Sequence, residues 1–494
     1  MKYRSTRTQN GEAVSAAYAI KNGIAPDGGL YMPEVIPTLT EADITALAGM
    51  SYPERAARIL SLYLSDYTEE ELLEDCRIAY SEERFPGGAT PIHDIDGRIF
   101  SLELWHGPTS AFKDMALQIM PRLLSRALKK TGETRTALIL VATSGDTGKA
   151  ALEGYRDVDG VKILVFYPTD GVSRIQKLQM MTQEGKNVGV LGITGNFDDA
   201  QGGVKRIFGN ADTAATLNDK GVFLSSANSI NWGRLAPQIA YYVSAYCDML
   251  NLGKIKLGDT LDIAVPTGNF GNIFAAYLAR KMGVPLGRLI CASNENDVLT
   301  DFLAHGVYDR NRTFHMTTSP SMDILISSNL ERLIHQCFGP ERTAECMKKL
   351  SDCGVYSLAE DEIAKITKIF CGYSCNEAQT AACIKTVFET NGYLMDTHTA
   401  VGYYAADRYL AETESRTPIV LASTASPYKF APAVYSAIAA KEAPEGTAAL
   451  LALEAASGTV IPAPLNGLDT KTIRHNRTID PADMEKEVLA FAEA

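Results

Sequence analysis

The chain has 494 residues, 46% of them hydrophobic and 21% charged, enough for a large globular core divided into roughly two to four domains. A net charge of -12 without a long basic run argues against nucleic acid as a partner, and no segment approaches the ~18 apolar residues of a membrane span. Nine scattered cysteines without a regular framework suit a reducing cytosol.

The first ten residues are polar, so no secretory leader is expected. Residues 1–92 read as a small helical domain. Within it, Asp27-Gly-Gly-Leu-Tyr-Met-Pro33 predicts a turn and a short extended segment closed by proline. Residues 41–82 predict two or three amphipathic helices, and Phe85-Pro-Gly-Gly88 a linker.

His106-Gly-Pro-Thr-Ser-Ala-Phe-Lys-Asp-Met-Ala-Leu-Gln118 follows. Thr109 and Ser110 are suitable N-cap residues. Phe112, Met115, Ile119, Leu123 and Ala127 then recur at helical steps towards Lys130, with a kink expected at Pro121. Lys113 would sit in the first turn, where a cation opposes the helix dipole. Its plain reading is a solvated lysine. Apolar neighbours and a helix N-terminus favour another, because both lower an amine pKa from ~10.4 and free it for Schiff-base chemistry. The stretch resembles the pyridoxal-phosphate lysine motif of the threonine synthases, of the long type with an N-terminal domain. That resemblance implies that Lys113 carries pyridoxal 5′-phosphate. Gly28-Gly-Leu-Tyr-Met-Pro33 resembles the N-terminal signature of the same enzymes.

From Thr136 strands and helices alternate. Strands are predicted at 137–142, 161–167, 187–193, 222–224, 261–265, 289–292 and 419–422, with helices at 149–156, 174–182, 198–208, 231–250 and 272–282. The alternation predicts parallel strands with crossover helices, hence an α/β fold with ligands at the carboxyl ends of the strands. With the resemblance, the expected fold is a fold-type II pyridoxal-phosphate enzyme. It has two open, mostly parallel α/β lobes over residues 93–430, the smaller at about 137–230. A helical insertion is expected at about 300–395, and residues 431–494 form a C-terminal segment packing on the catalytic region. Within the insertion Cys371, Cys375 and Cys383 cluster, but no second pair stands at zinc spacing, and no metal is expected.

Val265-Pro-Thr-Gly-Asn-Phe-Gly-Asn272 leaves a strand and enters a helix, a geometry that brings amides and a helix dipole to an anion. It resembles the cofactor-phosphate loop of fold-type II enzymes, which implies phosphate contacts at Gly268, Asn269, Phe270, Gly271 and Asn272. Thr143-Ser-Gly-Asp-Thr-Gly148 occupies another strand end. In the wider fold type such a loop grips the substrate carboxylate and an Asn meets the cofactor's 3′ oxygen. Here Asp146 stands in that place, as in the long synthases, so it should point away or be held by a cation. Ser226-Ala-Asn-Ser-Ile-Asn-Trp-Gly-Arg234 opens a helix, and Asn228 or Ser229 would serve as its N-cap. The segment resembles a family motif that implies active-site contacts for Asn228 and Asn231. Arg234 has the donor fork to pair with a phosphate. Ser144 and Thr147 join Arg234 as candidates for the leaving phosphate.

Ser319-Pro-Ser-Met-Asp-Ile324 and Gly392-Tyr-Leu-Met-Asp-Thr-His-Thr-Ala-Val-Gly402 also resemble family segments, with Thr397 where Pro is usual. His398 reads first as a hydrogen-bonded structural histidine. Ser423-Thr-Ala-Ser-Pro-Tyr-Lys-Phe430 resembles a segment in which a hydroxyl meets the pyridine nitrogen. Thr424 matches that position best, with Ser423 as runner-up. The family usually has His at the position of Ser426. A hydroxyl in place of a carboxylate leaves the nitrogen largely unprotonated, which favours elimination and replacement over transamination. The implied reaction converts O-phospho-L-homoserine and water to L-threonine and phosphate, with Lys113 moving the protons. The alternatives are a phospho-lyase releasing an oxo acid and a non-catalytic pathway regulator. The expected state is a cytoplasmic monomer or homodimer without a nucleic-acid or membrane partner.

Overall fold

The computed structural model describes every residue except Gln9, Ser144, Gly171 and Ala494. Near the N-terminus, Tyr3–Ser5 pairs antiparallel with Tyr31–Pro33. Three helices then follow, Glu41–Ala48, Tyr52–Tyr63 and Glu69–Ala79. Thr40 with Asp43, and Thr68 with Glu71, form reciprocal capping boxes that satisfy free amides at two of these helix starts. The middle helix buries Ala56, Ile59, Leu60 and Tyr63 along one stripe. Tyr3 and Tyr63 both pack on Trp232, at ring-centroid distances of 5.4 and 5.5 Å. The helix Trp232–Asn251 is thus enclosed and almost wholly buried.

Two sheets form the body. One has the order Phe370–Ser374, Leu286–Ser293, Leu261–Pro266, Ile419–Ser423, Ile99–Glu103, Ile92–Asp94. Only its last pair is antiparallel. The other, all parallel, has the order Thr478–Ile479, Val188–Ile193, Val161–Pro168, Thr136–Ala142, Val222–Ser225. Crossover helices cover both faces, so the inner strands are continuous apolar runs: every residue of Leu261–Pro266 is buried. These are the parallel strands and crossover helices that the alternation predicts, in the two open, mostly parallel α/β lobes that the resemblance implies.

Four strands of these two sheets escape the sequence reading: Ile92–Asp94, Ile99–Glu103, Phe370–Ser374 and Thr478–Ile479. Phe370–Ser374 lies within the region expected to be helical, and its backbone extends the larger sheet beside Leu289–Ser293. That region also holds the antiparallel pair Val307–Asp309 and Val355–Ser357. After residue 430 the helices Ala431–Ala439 and Ala448–Ser457 pack on the larger-sheet lobe through Val434, Leu450 and Leu453. The chain then crosses over. Thr478–Ile479 joins the smaller sheet, and helix Met484–Glu493 buries Met484 and Val488 against Leu191, Ile193 and Ile207. No helix among the described residues is long and apolar enough to cross a membrane.

Candidate active site

The helix expected to start at Thr109 or Ser110 starts later, at Asp114. Two contacts override the local capping preference. Thr109 donates from its backbone N and from Oγ1 to the Asp114 carboxylate, both at 2.8 Å. Residues 110–112 pair with 424–426: Phe112 N donates to Thr424 O (2.8 Å) and Ser426 N to Ser110 O (3.0 Å). The first helical piece, Asp114–Leu117, ends within a turn. Pro121 then lies in the first turn of Met120–Lys130, where a missing N–H costs nothing, and begins a helix instead of kinking one.

This places Lys113 at the mouth of a short helix with its side chain 11% exposed. Its Nζ donates to Ser321 Oγ at 3.0 Å and lies 3.9 Å from Asp146 Oδ2. Burial pushes the amine pKa down to about 8, with Asp146 opposing and Lys429 and Arg234 assisting. The cation expected beside Asp146 is Lys429. Its fully buried ammonium is 2.9 Å from Asp146 Oδ1 and also donates to Thr109 O and Gln179 Oε1. Gln176 Nε2 donates to the same carboxylate oxygen at 2.8 Å. Burial acts against ionisation, yet Lys429 and Lys113 hold the Asp146 carboxyl well below the usual range. His398 serves Ser321: its Nε2 accepts from Ser321 N (3.1 Å), and the proton on Nδ1 is directed at Asp396 Oδ2 (2.7 Å). Lys429, Gln176 and Ser321 were given no role from the sequence, because each acts through a partner distant in the chain.

Asp114 behaves in the opposite way to Asp146. Burial outweighs its two bonds from Thr109 and raises the carboxyl to about 7. An unfolded Asp titrates near ~3.9, so Asp114 costs stability progressively as pH climbs from about 4 to about 7. Asp114→Asn, which can keep both Thr109 contacts, is expected to change the melting temperature more favourably at pH ~8 than at pH ~4. Calorimetry at the two pH values checks the difference.

The loop after Leu261–Pro266 has its acceptors occupied and its donors free. Ser327 Oγ donates to Gly268 O (2.7 Å), and Asn329 donates from N and Nδ2 to Asn269 O (3.1 and 2.9 Å). No acceptor among the described residues meets the backbone N–H groups of Gly268, Asn269 or Phe270. Phe270 is held at φ 61°, a left-handed conformation that side chains rarely adopt. A Cβ at position 268 would lie 2.6 Å from Ser321 O, so only glycine fits there. Helix Gly271–Lys281 follows and points its N-terminus the same way. Asn272 accepts from the hydroxyls of Tyr241 and Tyr242, which leaves its buried Nδ2 without a partner. Free amides, a helix N-terminus and an orphaned amide donor fit a phosphate group.

The other expected site residues divide. Thr424 is buried beside Lys113 through the 110–112 pairing, and its hydroxyl has no partner among the described residues. Ser423 Oγ, by contrast, already accepts from Trp105 Nε1 and meets Thr399 Oγ1. Ser426 Oγ accepts from Tyr428 N. Arg234 is buried near Lys113, and among the described residues it makes one bond, Nη1 to Ala227 O, while its Nε has no partner. Thr147 is half-buried and Asn228 exposed, and neither side chain makes a hydrogen bond among the described residues. Asn231 is the N-cap of Trp232–Asn251, and its amide donates to Ile20 O. Both ends of that side chain are occupied. Ser144 lies outside the described residues.

Arg332 carries no expectation from the sequence, yet it ties the site together. It is fully buried without an ion-pair partner among the described residues, and it donates to Tyr31 O, Ile230 O and Asn329 Oδ1. Asn329 in turn holds the phosphate loop. Arg332→Met strands two buried acceptors, Tyr31 O and Asn329 Oδ1, at about 1–3 kcal/mol each, and the half-buried Ile230 O. The expected result is a lower melting temperature and at least ~10-fold weaker cofactor binding. Calorimetry and titration of the cofactor-free protein with pyridoxal phosphate check both.

Three family profiles match the chain in succession: threonine synthase N terminus at residues 2–80, pyridoxal-phosphate dependent enzyme at 84–425, and threonine synthase C-terminal at 399–476. A threonine synthase of Pseudomonas aeruginosa is 40% identical over 443 residues, 88% of this chain and 90% of that one. The chain belongs to the threonine synthase family. Pyridoxal phosphate is its cofactor. The crystal structure of a pyridoxal-phosphate-bound threonine synthase from Brucella melitensis superposes with a TM-score of 0.89 at 36% identity, covering 100% of both chains. Human threonine synthase-like 1 is 39% identical over 457 residues, 90% of this chain. The chain spans 61% of the length of that longer relative.

Proposed function

We propose that the protein is a threonine synthase converting O-phospho-L-homoserine and water to L-threonine and phosphate. The observation that carries this reading is the convergence on Lys113 of a depressed amine pKa, a phosphate cradle and the buried guanidinium of Arg234, whose Nε has no partner among the described residues. Pyridoxal phosphate, when bound, supplies the electron sink for bonds broken next to the substrate's amine. The amides of Gly268 to Asn272 would hold its phosphate, and the Thr424 hydroxyl would face its ring nitrogen.

Lys113, with a pKa of about 8, is a base that is partly free at neutral pH and still strong enough to take a carbon-bound proton. Ser321 Oγ orients that amine, and the Asp146–Lys429 pair fixes the charge beside it. The γ carbon–oxygen bond breaks and phosphate leaves with the electron pair. Arg234 Nε, Thr147 and Ser144 are the donors this reading gives to the phosphate. The β carbon loses a proton and takes a hydroxyl from water, while the γ carbon gains a proton in place of the departed phosphate. This reading gives the exposed Asn228 a substrate contact, whereas Asn231 acts by holding the helix start that carries Arg234. The reading also makes the protein cytoplasmic, a monomer or homodimer, without nucleic-acid or membrane partners; all nine cysteines are free thiols.

A phospho-lyase is the second reading. Ser426 favours it, since a hydroxyl bonded to Tyr428 N stands where the resemblance leads one to expect His. Purified protein is incubated with pyridoxal phosphate and O-phospho-L-homoserine, and phosphate, threonine and 2-oxobutyrate are assayed together. The expected result is phosphate matched by threonine. Phosphate matched by 2-oxobutyrate establishes the lyase, and no phosphate at all overturns both in favour of a regulator.

A further inference from the structure

A cavity of about 850 Å³, lined by Gln179 but not by Lys113, Asp146 or Lys429, lies between the 105–110 loop, helix Asp146–Tyr155, residues 179–184 and residues 460–474. It has the volume of a small-molecule pocket. Three independent features give its chemistry.

The first is charge. Arg84, Lys149, Arg156, Lys471 and Arg474 line it, against the carboxylates of Glu83, Glu153 and Glu184. On a chain of net charge -12 that is a local cationic excess. Arg84 and Lys471 have no carboxylate partner among the described residues, whereas Lys149 and Arg156 share Glu153 (3.1 and 3.3 Å). The second is a pair of orphaned polar atoms. Ser110 Oγ and Gln179 Nε2 belong to lining side chains that are each 1% exposed, and neither has a hydrogen-bond partner among the described residues. Gln179 Oε1 is already used by Lys429, so only its donor is left. The third is an aromatic platform. Trp105 and His106, both lining residues, stack at 4.2 Å between centroids and 15° between planes. Val460, Ile461 and Leu468 add apolar wall.

We propose that this cavity is a second ligand site, distinct from the Lys113 site, for an anion that carries a planar ring, the chemistry of a nucleoside monophosphate. The ring stacks on Trp105 and the apolar residues of 460–468 cover it. The phosphate takes the charge of Lys471 and replaces Glu184 at Arg474, now 3.0 Å apart, and ligand acceptors meet Gln179 Nε2 and Ser110 Oγ. Through Gln179 an occupant stands one side chain from Lys429, and so from the charge that sets Lys113.

The test uses the holoenzyme and intrinsic fluorescence. The chain has two tryptophans: Trp105 in the cavity and Trp232, fully buried elsewhere. AMP, GMP and UMP are titrated separately, with adenosine and inorganic phosphate as half-ligands. The expected result is saturable quenching by a nucleotide, abolished in Trp105→Phe and weakened at least ~10-fold in Lys471→Ala/Arg474→Ala, with added salt weakening it too. Saturating O-phospho-L-homoserine should leave the quench in place. Absence of quenching by all three nucleotides overturns the proposal. Displacement by the substrate overturns it as well, since the nucleotide would then be in the Lys113 site. Equal affinity for inorganic phosphate, or retention of full affinity in the double variant, overturns the pairing of ring and cationic rim.

Discussion

Replacing Lys113 with alanine should abolish threonine formation while leaving the protein no less stable. The two effects have one cause. A side chain that is 11% exposed and whose pKa is pushed down to about 8 is an amine kept against its preference for solvent. At pH ~7 the native state carries that penalty, which fades only as pH rises past about 8 towards the unfolded value of ~10.4. Removing the amine removes the penalty and also the group that moves protons. Loss of a positioned base alone costs about 10²–10⁴ in rate, and loss of the covalent attachment adds to it. Product assay and calorimetry on the same preparation check the pair of effects. Normal turnover in Lys113→Ala would refute the assignment. In the unaltered protein stripped of cofactor, uptake of pyridoxal phosphate should quicken with pH and level off above about 8, followed by absorbance.

Lys429→Met should damage both stability and rate. Asp146 would lose a partner at 2.9 Å in a position without solvent. Stranding one member of a buried ion pair typically costs about 3–5 kcal/mol, a large share of a stability of about 5–15 kcal/mol. The cation left in reach is Lys113, 3.9 Å away. Its pairing with Asp146 would raise the amine pKa and shift the rising limb of the rate profile to higher pH. The double variant Asp146→Asn/Lys429→Met should recover much of the lost melting temperature, because no uncompensated charge remains. Equal melting temperatures of the single variant and the unaltered protein would show that the pair contributes little. The contribution of Asp146 is full above an ordinary carboxylate value of ~3.9 and is lost as pH falls below it.

How legible these features were follows from the range of the interaction. Central strands such as Leu261–Pro266 and Ile419–Ser423 are buried on both faces and bounded by turn residues, so the sequence marks them without help. Ile99–Glu103 is buried except at Glu103, but only Leu104 separates it from Trp105-His-Gly-Pro108, so no turn residue marks where it stops. Thr478–Ile479 has two residues, too few for any period. At the site, Lys113 and the Gly268 loop each lie in a contiguous motif, and the resemblance of those motifs to family segments implies their roles. Lys429 does not: what distinguishes it from a solvated lysine is Asp146, far away in the chain. The misplaced helix start has the same origin. Thr109 has the right chemistry for a cap, but its hydroxyl and amide are both engaged by Asp114.

The crossing of the final segment from one lobe to the other bears on how the protein tolerates cutting. Thr478–Ile479 pairs with Val188–Ile193, whose six residues are all buried, and helix Met484–Glu493 lies against the same lobe. Without those residues Val188–Ile193 would become an open, apolar sheet border, a template for another chain to add to. A protease acting in the exposed stretch at 471–474 would therefore threaten solubility before it threatened chemistry, since Lys113 and the phosphate loop lie elsewhere. Shortened forms of the protein should be lost to self-association, with their catalytic residues still in place.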